Sequence, residues 1–230
     1  MDLLGPAEWQ AIRLSLQVSF FATILSLPLG VLVAYALARW EFRGKQLINA
    51  LVHLPLVLPP VVTGYVLLLT FGTQGAIGRW LADVGIVLAF RWTGAVLAAA
   101  IMAFPLMVRA IRLSIEAVDA KLEDAAATLG ASPWVVFRRV TLPLIMPGVI
   151  AGSVLAFAKA LGEFGATITF VANIPGQTQT IPSAIYAFLQ APDGERAVIV
   201  LVVISLVIAL AAILFSESVA RRVALRVGHA

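Results

Sequence analysis

The residues of this sequence that could do chemistry are concentrated in one polar segment, residues 119–148, DAKLEDAAATLGASPWVVFRRVTLPLIMPG. This polar segment is the one long polar interruption in an otherwise apolar chain. The charged side chains in and beside it are Glu116, Asp119, Lys121, Glu123, Asp124, Arg138 and Arg139. A charge at the centre of a bilayer costs about 2.5 to 3.5 kcal/mol on insertion scales. The polar segment is therefore predicted to lie at a membrane surface, outside the lipid.

A second candidate is a pair of charges in an apolar region, Lys159 and Glu163. Because they are four residues apart, they lie on one face of a helix and can pair, which lowers the cost of burying them. Two interpretations stay open, a structural pair and a part of a translocation pathway. Ser153, Thr167 and Thr169 would add hydroxyl donors for a desolvated anion at a similar depth. Hydroxyls in membrane helices, however, commonly bond their own backbone.

Motifs of known enzymes are absent from the sequence. The phosphate-binding pattern GxxxxGK[ST] does not occur, since Gly44-Lys45 lacks the upstream glycine and the following hydroxyl. Neither GxSxG nor HExxH is present, and no His, Asp and Glu cluster has metal-ligand spacing. The chain also has no cysteine. The sequence therefore predicts a protein that is not an enzyme and needs no cofactor or metal.

Composition indicates an integral membrane protein. Hydrophobic residues make up 61% of the chain and charged residues 12%, against about 25% charged in soluble domains. The net charge of +4 comes from small basic groups beside apolar runs and not from a basic domain, which argues against nucleic-acid binding. The first apolar run lacks the features of a removable signal peptide and is expected to stay as an anchor.

The apolar runs predict an all-α integral membrane fold in a single domain, residues 1–230, with about five transmembrane helices. The predicted spans are 14–38 with a bend near Pro28, one span within the uncharged stretch 46–78 that is broken in its first half and regular over 61–71, then 93–108, 140–158 and 197–216. Three prolines break the second span between 53 and 64, which is either a pathway lining or a kinked helix entry.

The distribution of basic residues predicts the orientation of these spans. Most of the 16 Lys and Arg fall in 39–45, 109–139 and 221–226. Basic clusters beside spans mark the cytoplasmic side. The N-terminus and residues 72–92 and 164–195 are therefore expected outside.

Within the polar segment, helix signals predict a short helix, a tight turn and another short helix. Asp119 is a predicted N-cap, and Gly130 fits the left-handed position that ends a helix of about ten residues. Ser132 and Pro133 form a second start signal, a hydroxyl cap followed by proline at the first helical position.

Part of the polar segment resembles the EAA signature of bacterial ABC-importer permeases, a loop at about residues 113–143. The matching residues are Asp124, Ala125, Ala126, Gly130, Leu142 and Pro143. Nearly the whole chain resembles the molybdate permeases of that family, through 53–65, 94–112 and 161–186. The resemblance implies the type I ABC importer permease fold, with a cytoplasmic coupling helix between spans three and four.

The resemblance also implies roles for residues. The coupling helix sits in a groove of the ATPase, and the residues implied to couple to it are Glu123, Asp124, Ala125, Ala126, Gly130 and Pro143. The usual first residue of the signature is Glu, and here Asp124 stands in its place with Glu123 before it. Either acid could take the role.

The partners implied by the resemblance are a second copy of the chain, two cytoplasmic ATP-binding ABC subunits and a periplasmic molybdate-binding protein. The expected location is the bacterial inner membrane, and the expected cargo is molybdate or tungstate. Two alternatives stay open: a sulfate or thiosulfate permease of the same architecture, and a membrane anchor or assembly subunit without a transport path.

Overall fold

The computed structural model describes residues 5–227, which form an all-helical fold. A π-helical segment, Phe137–Thr141, joins two of the helices. The helices are α1 Pro6–Arg39, α2 Lys45–Val57, α3 Pro60–Phe71, α4 Ala76–Asp83, α5 Trp92–Glu116, α6 Ala120–Thr128, α7 Pro133–Val136, α8 Leu142–Leu161, α9 Gly165–Val171, α10 Ile181–Phe188 and α11 Glu195–Val227.

The number of candidate membrane spans agrees with the prediction. Over the described residues, 4 helical stretches are long and apolar enough to cross a membrane: α1, α5, the continuous stretch Pro133–Leu161 and the first part of α11. A fifth is the pair α2 and α3, if the two count as one span, with a bend of 114° between them. The all-α membrane fold with about five spans is confirmed.

The bend between α2 and α3 lies at Leu58 and Pro59, which are both extended. Proline disfavours helical geometry in the residue before it, and Pro59 precedes Pro60. Pro55 lies inside α2 and does not break it. The predicted second span is therefore broken only at Leu58 and Pro59, and the residues before this break form the helix α2.

The helix α5 is central and packs against α1, α8 and α9. The approach of α8 to α5 depends on glycine, since a Cβ at Gly148 would overlap the side chain of Ser114. A Cβ at Gly152 would lie 3.1 Å from the carbonyl oxygen of Met107. Small residues at such crossings let helices pack by van der Waals contact in lipid, where no hydrophobic driving force brings them together.

One predicted feature differs in the structure, since the predicted outer loop contains the helix α4. The helix α1 runs 34 residues through Pro28 without interruption, so the bend predicted there is not a break in the helix. The basic residues predicted to mark the end of the last span, Arg221, Arg222 and Arg226, have side chains outside the described part of the chain.

The second short helix of the polar segment is not a separate element. Ser132 and Pro133 do begin α7, but α7 continues through the π-helical segment into α8. The π-helical turn ends just before Pro143, whose ring would crowd the carbonyl oxygen four residues earlier in an α-helix. A wider turn at that point lets the helix continue past the proline.

Candidate functional site

The helix α6 is defined at both ends by the predicted residues. At its start, the Asp119 side chain accepts a hydrogen bond of 3.0 Å from the Lys121 backbone N–H. At its end, Gly130 has φ of +85°, and the N–H of Gly130 and of Ala131 donate to the carbonyls of Ala127 and Ala126. These two bonds form the Schellman motif, which favours glycine at the left-handed position.

The helix α6 buries no residue against the rest of the described chain. Leu122 and Leu129 are 49% and 89% exposed, and Ala125, three residues after Leu122 and four before Leu129, is exposed on the same side. Trp134 on α7 is also exposed. Exposed large apolar side chains among charged residues on a short helix are typical of a protein-protein contact.

The two adjacent acids of α6 have different surroundings. Glu123 faces the rest of the protein, where its Oε2 lies 3.1 Å from Nε of Arg39 at the end of α1. Its Oε1 accepts a 2.6 Å hydrogen bond from the hydroxyl of Thr141, which is fully buried. Asp124 is exposed. Only Glu123 is therefore held by other elements, and Asp124 is free to meet a partner.

Aromatic rings also connect α1 with α7. The ring of Tyr35 meets the ring of Phe137 edge-on at 5.4 Å, and Phe137 stacks on Trp134 at 5.8 Å. Arg39 additionally donates to the carbonyl of Val118 at 2.9 Å. The end of α1 therefore contacts the chain on both sides of α6, at Val118 before it and at Phe137 after it.

The predicted pair of intramembrane charges is formed. Nζ of Lys159 lies 2.7 Å from Oε2 of Glu163, and Glu163 is 2% exposed. The other carboxylate oxygen accepts a 3.0 Å hydrogen bond from the backbone N–H of Ala166, in the first turn of α9. Glu163 thus both neutralises Lys159 and caps the next helix.

The three predicted hydroxyls donate to the backbone of their own helices. Ser153 donates to Val149, Thr169 to Gly165 and Thr167 to Phe164, at 2.8, 2.8 and 2.9 Å. Their protons are used within the helices in this conformation, so a passing anion would have to displace a backbone acceptor.

Three buried side-chain atoms of the described residues lack a hydrogen-bond partner. One is Nε of Arg39, which meets the Glu123 carboxylate as an ion pair without hydrogen-bond geometry. The other two, which the sequence did not single out, are the hydroxyl of Thr63 on α3 and Oδ1 of Asn173 after α9. Thr63 lies within the 53–64 stretch, beside Gly64, where α3 touches α9 through the backbone of Ala166. No local sequence pattern marks either residue, because the absence of a partner depends on the tertiary packing.

The polar segment and the Lys159–Glu163 pair lie at opposite ends of α8. This helix has 20 residues, which corresponds to about 30 Å at 1.5 Å per residue, close to the thickness of the hydrocarbon core. Pro143 is the second residue of α8 and lies at the end nearer the polar segment.

This arrangement of spans around one exposed short helix is that of a multi-pass membrane permease of the ABC-importer class. The fold is similar to a bacterial ABC transporter involved in the import of the acidic polysaccharide alginate, with a TM-score of 0.74 and 18% identity, covering 95% of this chain and 80% of that chain. Residues 26–225 match the family described as "Binding-protein-dependent transport system inner membrane component", and the chain belongs to that family.

Two relatives within this kind of transporter differ in their similarity to the chain. The chain is 58% identical to the molybdenum transport system permease protein ModB of Escherichia coli K12, over 95% of this chain and 96% of that protein. It is 37% identical to the probable sulfate transport system permease protein cysT of Nephroselmis olivacea, over 88% of this chain and 72% of that protein.

Proposed function

We propose that this chain is the permease subunit of an importer for molybdate, and for the related dianion tungstate, driven by ATP hydrolysis on a separate subunit. The observation that carries the proposal is the 58% identity to a molybdenum permease over almost the full length of both chains. The sulfate permease is less similar, at 37% identity, and the match covers less of its length. The cargo is therefore assigned to molybdate ahead of sulfate or thiosulfate.

The proposed assembly has two copies of this single-domain chain, residues 1–230, around a common pore in the bacterial inner membrane. Two ATP-binding subunits would lie on the cytoplasmic side, and a periplasmic molybdate-binding protein would deliver the oxyanion to the other side. The family description supports the binding protein, since transport in this family depends on one.

The orientation that we propose places α6 in the cytoplasm. Contacts of α6 with Arg39 bring the basic residues at 39–45 to the same end of the molecule as those at 109–139. Collecting basic residues at one end of the spans favours that end as the cytoplasmic one. Residues 164–195 follow the far end of α8 and would face the outside.

We assign the ATPase contact to the exposed side of α6 and its flanks. Asp124 and Ala125 are exposed there, Ala126 is partly exposed, and Gly130 ends the helix with no atom within 4 Å of an added Cβ. Small side chains let a groove close around the helix. Pro143 contributes at the start of α8, where it is exposed.

The test of this assignment is Ala126→Arg. A long charged side chain in the groove should remove co-purification of the ATPase with the detergent-solubilised permease and abolish uptake of labelled molybdate. Membrane insertion should be unchanged, because the spans are untouched. The control is Ala120→Arg, at an exposed position about 120° away around the same helix. Retention of the ATPase and of uptake in Ala126→Arg would contradict the assignment.

A second experiment separates the permease from an anchor without a transport path. Proteoliposomes containing the permease and the ATPase, supplied with ATP and the binding protein, should accumulate labelled molybdate, and excess unlabelled sulfate should compete poorly. Accumulation that is equal with and without the permease would favour the anchor. Strong competition by sulfate would favour the sulfate permease.

A further inference from the structure

The helix α6 is not held by apolar burial, since none of its residues is buried. Its one large apolar side chain, Leu122, is 49% exposed, and Leu129, which follows the helix, is 89% exposed. It is also bounded by non-helical residues on both sides, at 117–119 and at 129–132. A helix joined in this way could tilt independently of the spans unless polar contacts fix it.

The polar contacts that fix α6 converge on one carboxylate. Glu123 binds Arg39 of α1 through one oxygen and Thr141, just before α8, through the other. The side chains of Arg39 and Glu123 are 19% and 13% exposed, and Thr141 is fully buried. Charge-assisted bonds at such partly buried positions are stronger and less screened by salt than bonds at the surface.

The chemistry of these contacts requires a carboxylate. A carboxylate offers two acceptor oxygens; here Oε1 accepts the hydroxyl of Thr141 and Oε2 meets the guanidinium of Arg39 as an ion pair, without hydrogen-bond geometry. An amide of the same shape has no charge to pair with the guanidinium and has an acceptor on one side only, so it cannot make both contacts as the carboxylate does. Arg39 also donates to the carbonyl of Val118, which holds the connection between α5 and α6 to the same point.

We propose that Arg39, Glu123 and Thr141, here called the Glu123 cluster, transmit the movement of α6 to α1 and α8. Glu123 is a positioning residue in this proposal and does not belong to the surface that binds the ATPase. Movement of α6 would pull on α1 through the guanidinium and on α8 through the buried hydroxyl. The inference rests on the proposed function, since it requires an ATPase that moves α6.

The consequence is a specific defect when the cluster is broken. The exposed face of α6 still binds the ATPase, so ATP hydrolysis continues, but α6 moves without moving the spans. Loss of one charge-assisted bond at a partly buried site corresponds to about a tenfold change in the equilibrium between attached and detached α6. Glu123→Gln should therefore lower molybdate transported per ATP hydrolysed about tenfold, with the ATPase still co-purifying.

The experiment uses the purified complex of permease and ATPase in proteoliposomes with the binding protein. Molybdate uptake and phosphate release are measured on the same samples for Glu123→Gln, Thr141→Val and Thr141→Ser. Thr141→Val removes the hydroxyl at nearly constant volume and should also uncouple, whereas Thr141→Ser keeps the donor and should restore coupling. Glu41→Gln is the matched control, because the Glu41 carboxylate pairs with Lys45 at 2.7 Å but is 87% exposed.

The outcomes are distinguishable. Continued ATP hydrolysis with lost uptake in Glu123→Gln and Thr141→Val supports the proposal. Normal coupling in both variants overturns it, and so does loss of ATPase co-purification in both, since the cluster would then support docking itself. If Ala126→Arg keeps the ATPase and full uptake, the proposed function of α6 fails whatever the cluster variants show.

Discussion

The buried carboxylate of Glu163 has two roles, as a counterion and as a helix cap. It neutralises Lys159 at 2.7 Å and accepts the backbone N–H of Ala166 at 3.0 Å. Glutamine at 163 would keep an acceptor for Ala166 while removing the charge. A lysine at 163 has no acceptor for the N–H of Ala166. An exchange of Lys159 and Glu163 would therefore keep one positive and one negative charge in the pair but would leave α9 uncapped.

We therefore expect Lys159→Met to destabilise the permease and the double variant Lys159→Met with Glu163→Gln to recover most of the loss. The single variant leaves a carboxylate that is 2% exposed without its counterion. Breaking a buried pair in this way costs about 3 to 5 kcal/mol, with the lower value expected because Lys159 is partly exposed. Thermal unfolding in detergent measures the effect, and equal stability of the single and double variants would contradict it.

Uptake by the same double variant tests the pathway role of the pair. If the pair is structural, uptake follows the amount of folded permease and returns in the double variant. If Lys159 attracts the passing anion, uptake stays low even when stability returns. Molybdate uptake is normalised to permease in the membrane, with Lys159→Arg, which keeps the charge, as the control.

Gly130 at the end of α6 has a backbone requirement independent of side-chain space. Its φ is +85° and no atom lies within 4 Å of an added Cβ, so strain and not overlap decides the effect of a substitution. Valine at this position should cost at least about 1 to 2 kcal/mol, and asparagine less, because asparagine tolerates the left-handed region. We expect ATPase co-purification to fall in Gly130→Val and to persist in Gly130→Asn. Equal retention in both would show that the helix end does not matter for binding.

At the scale of elements, the limits of α6 could be predicted because they depend on adjacent residues. A carboxylate at Asp119 caps the N–H two residues later, and glycine at 130 permits the Schellman turn. The attachment of α6 could not be predicted, because the partners of Glu123 at 39 and 141 belong to other elements. The separate second short helix that the sequence predicted is not formed, because a wider helical turn joins α7 to α8.

The close crossing of α5 and α8 is an element-scale feature that can be tested separately from transport. A side chain at Gly148 would overlap Ser114 on α5. We expect Gly148→Leu to force the helices apart and to lower the amount of folded permease, because overpacking costs about 1 to 3 kcal/mol or more. Gly162→Ala is the control, since its Cβ would meet an atom only at 3.8 Å. Normal thermal unfolding of Gly148→Leu in detergent would contradict the close packing.

At the scale of the whole molecule, exposed apolar residues are unevenly distributed over the spans. In α11 only 6% of the most apolar window is buried, as expected for a helix that faces lipid. The helix α3 exposes Val61, Tyr65 and Leu69 on one side while its other side packs on α9. Like the exposed face of α11, this side of α3 is a surface that the other described elements leave uncovered. Residues 53–64 lie beside this surface. For this stretch the sequence allowed two interpretations, a lining of the translocation pathway and a kinked helix entry.

The orientation of the whole molecule can be tested because the chain contains no cysteine. Ala127→Cys and Gln177→Cys each place one thiol at an exposed position, and the two positions lie beyond opposite ends of α8. An impermeant maleimide added to intact spheroplasts should label position 177 and not position 127, because the basic residues near α6 favour the cytoplasmic side. Permeabilisation should then allow labelling at 127, which shows that its thiol is reactive. Labelling of 127 and not 177 in intact spheroplasts would place α6 outside, away from any cytoplasmic ATPase, and would overturn the coupling assignment together with the role of the Glu123 cluster.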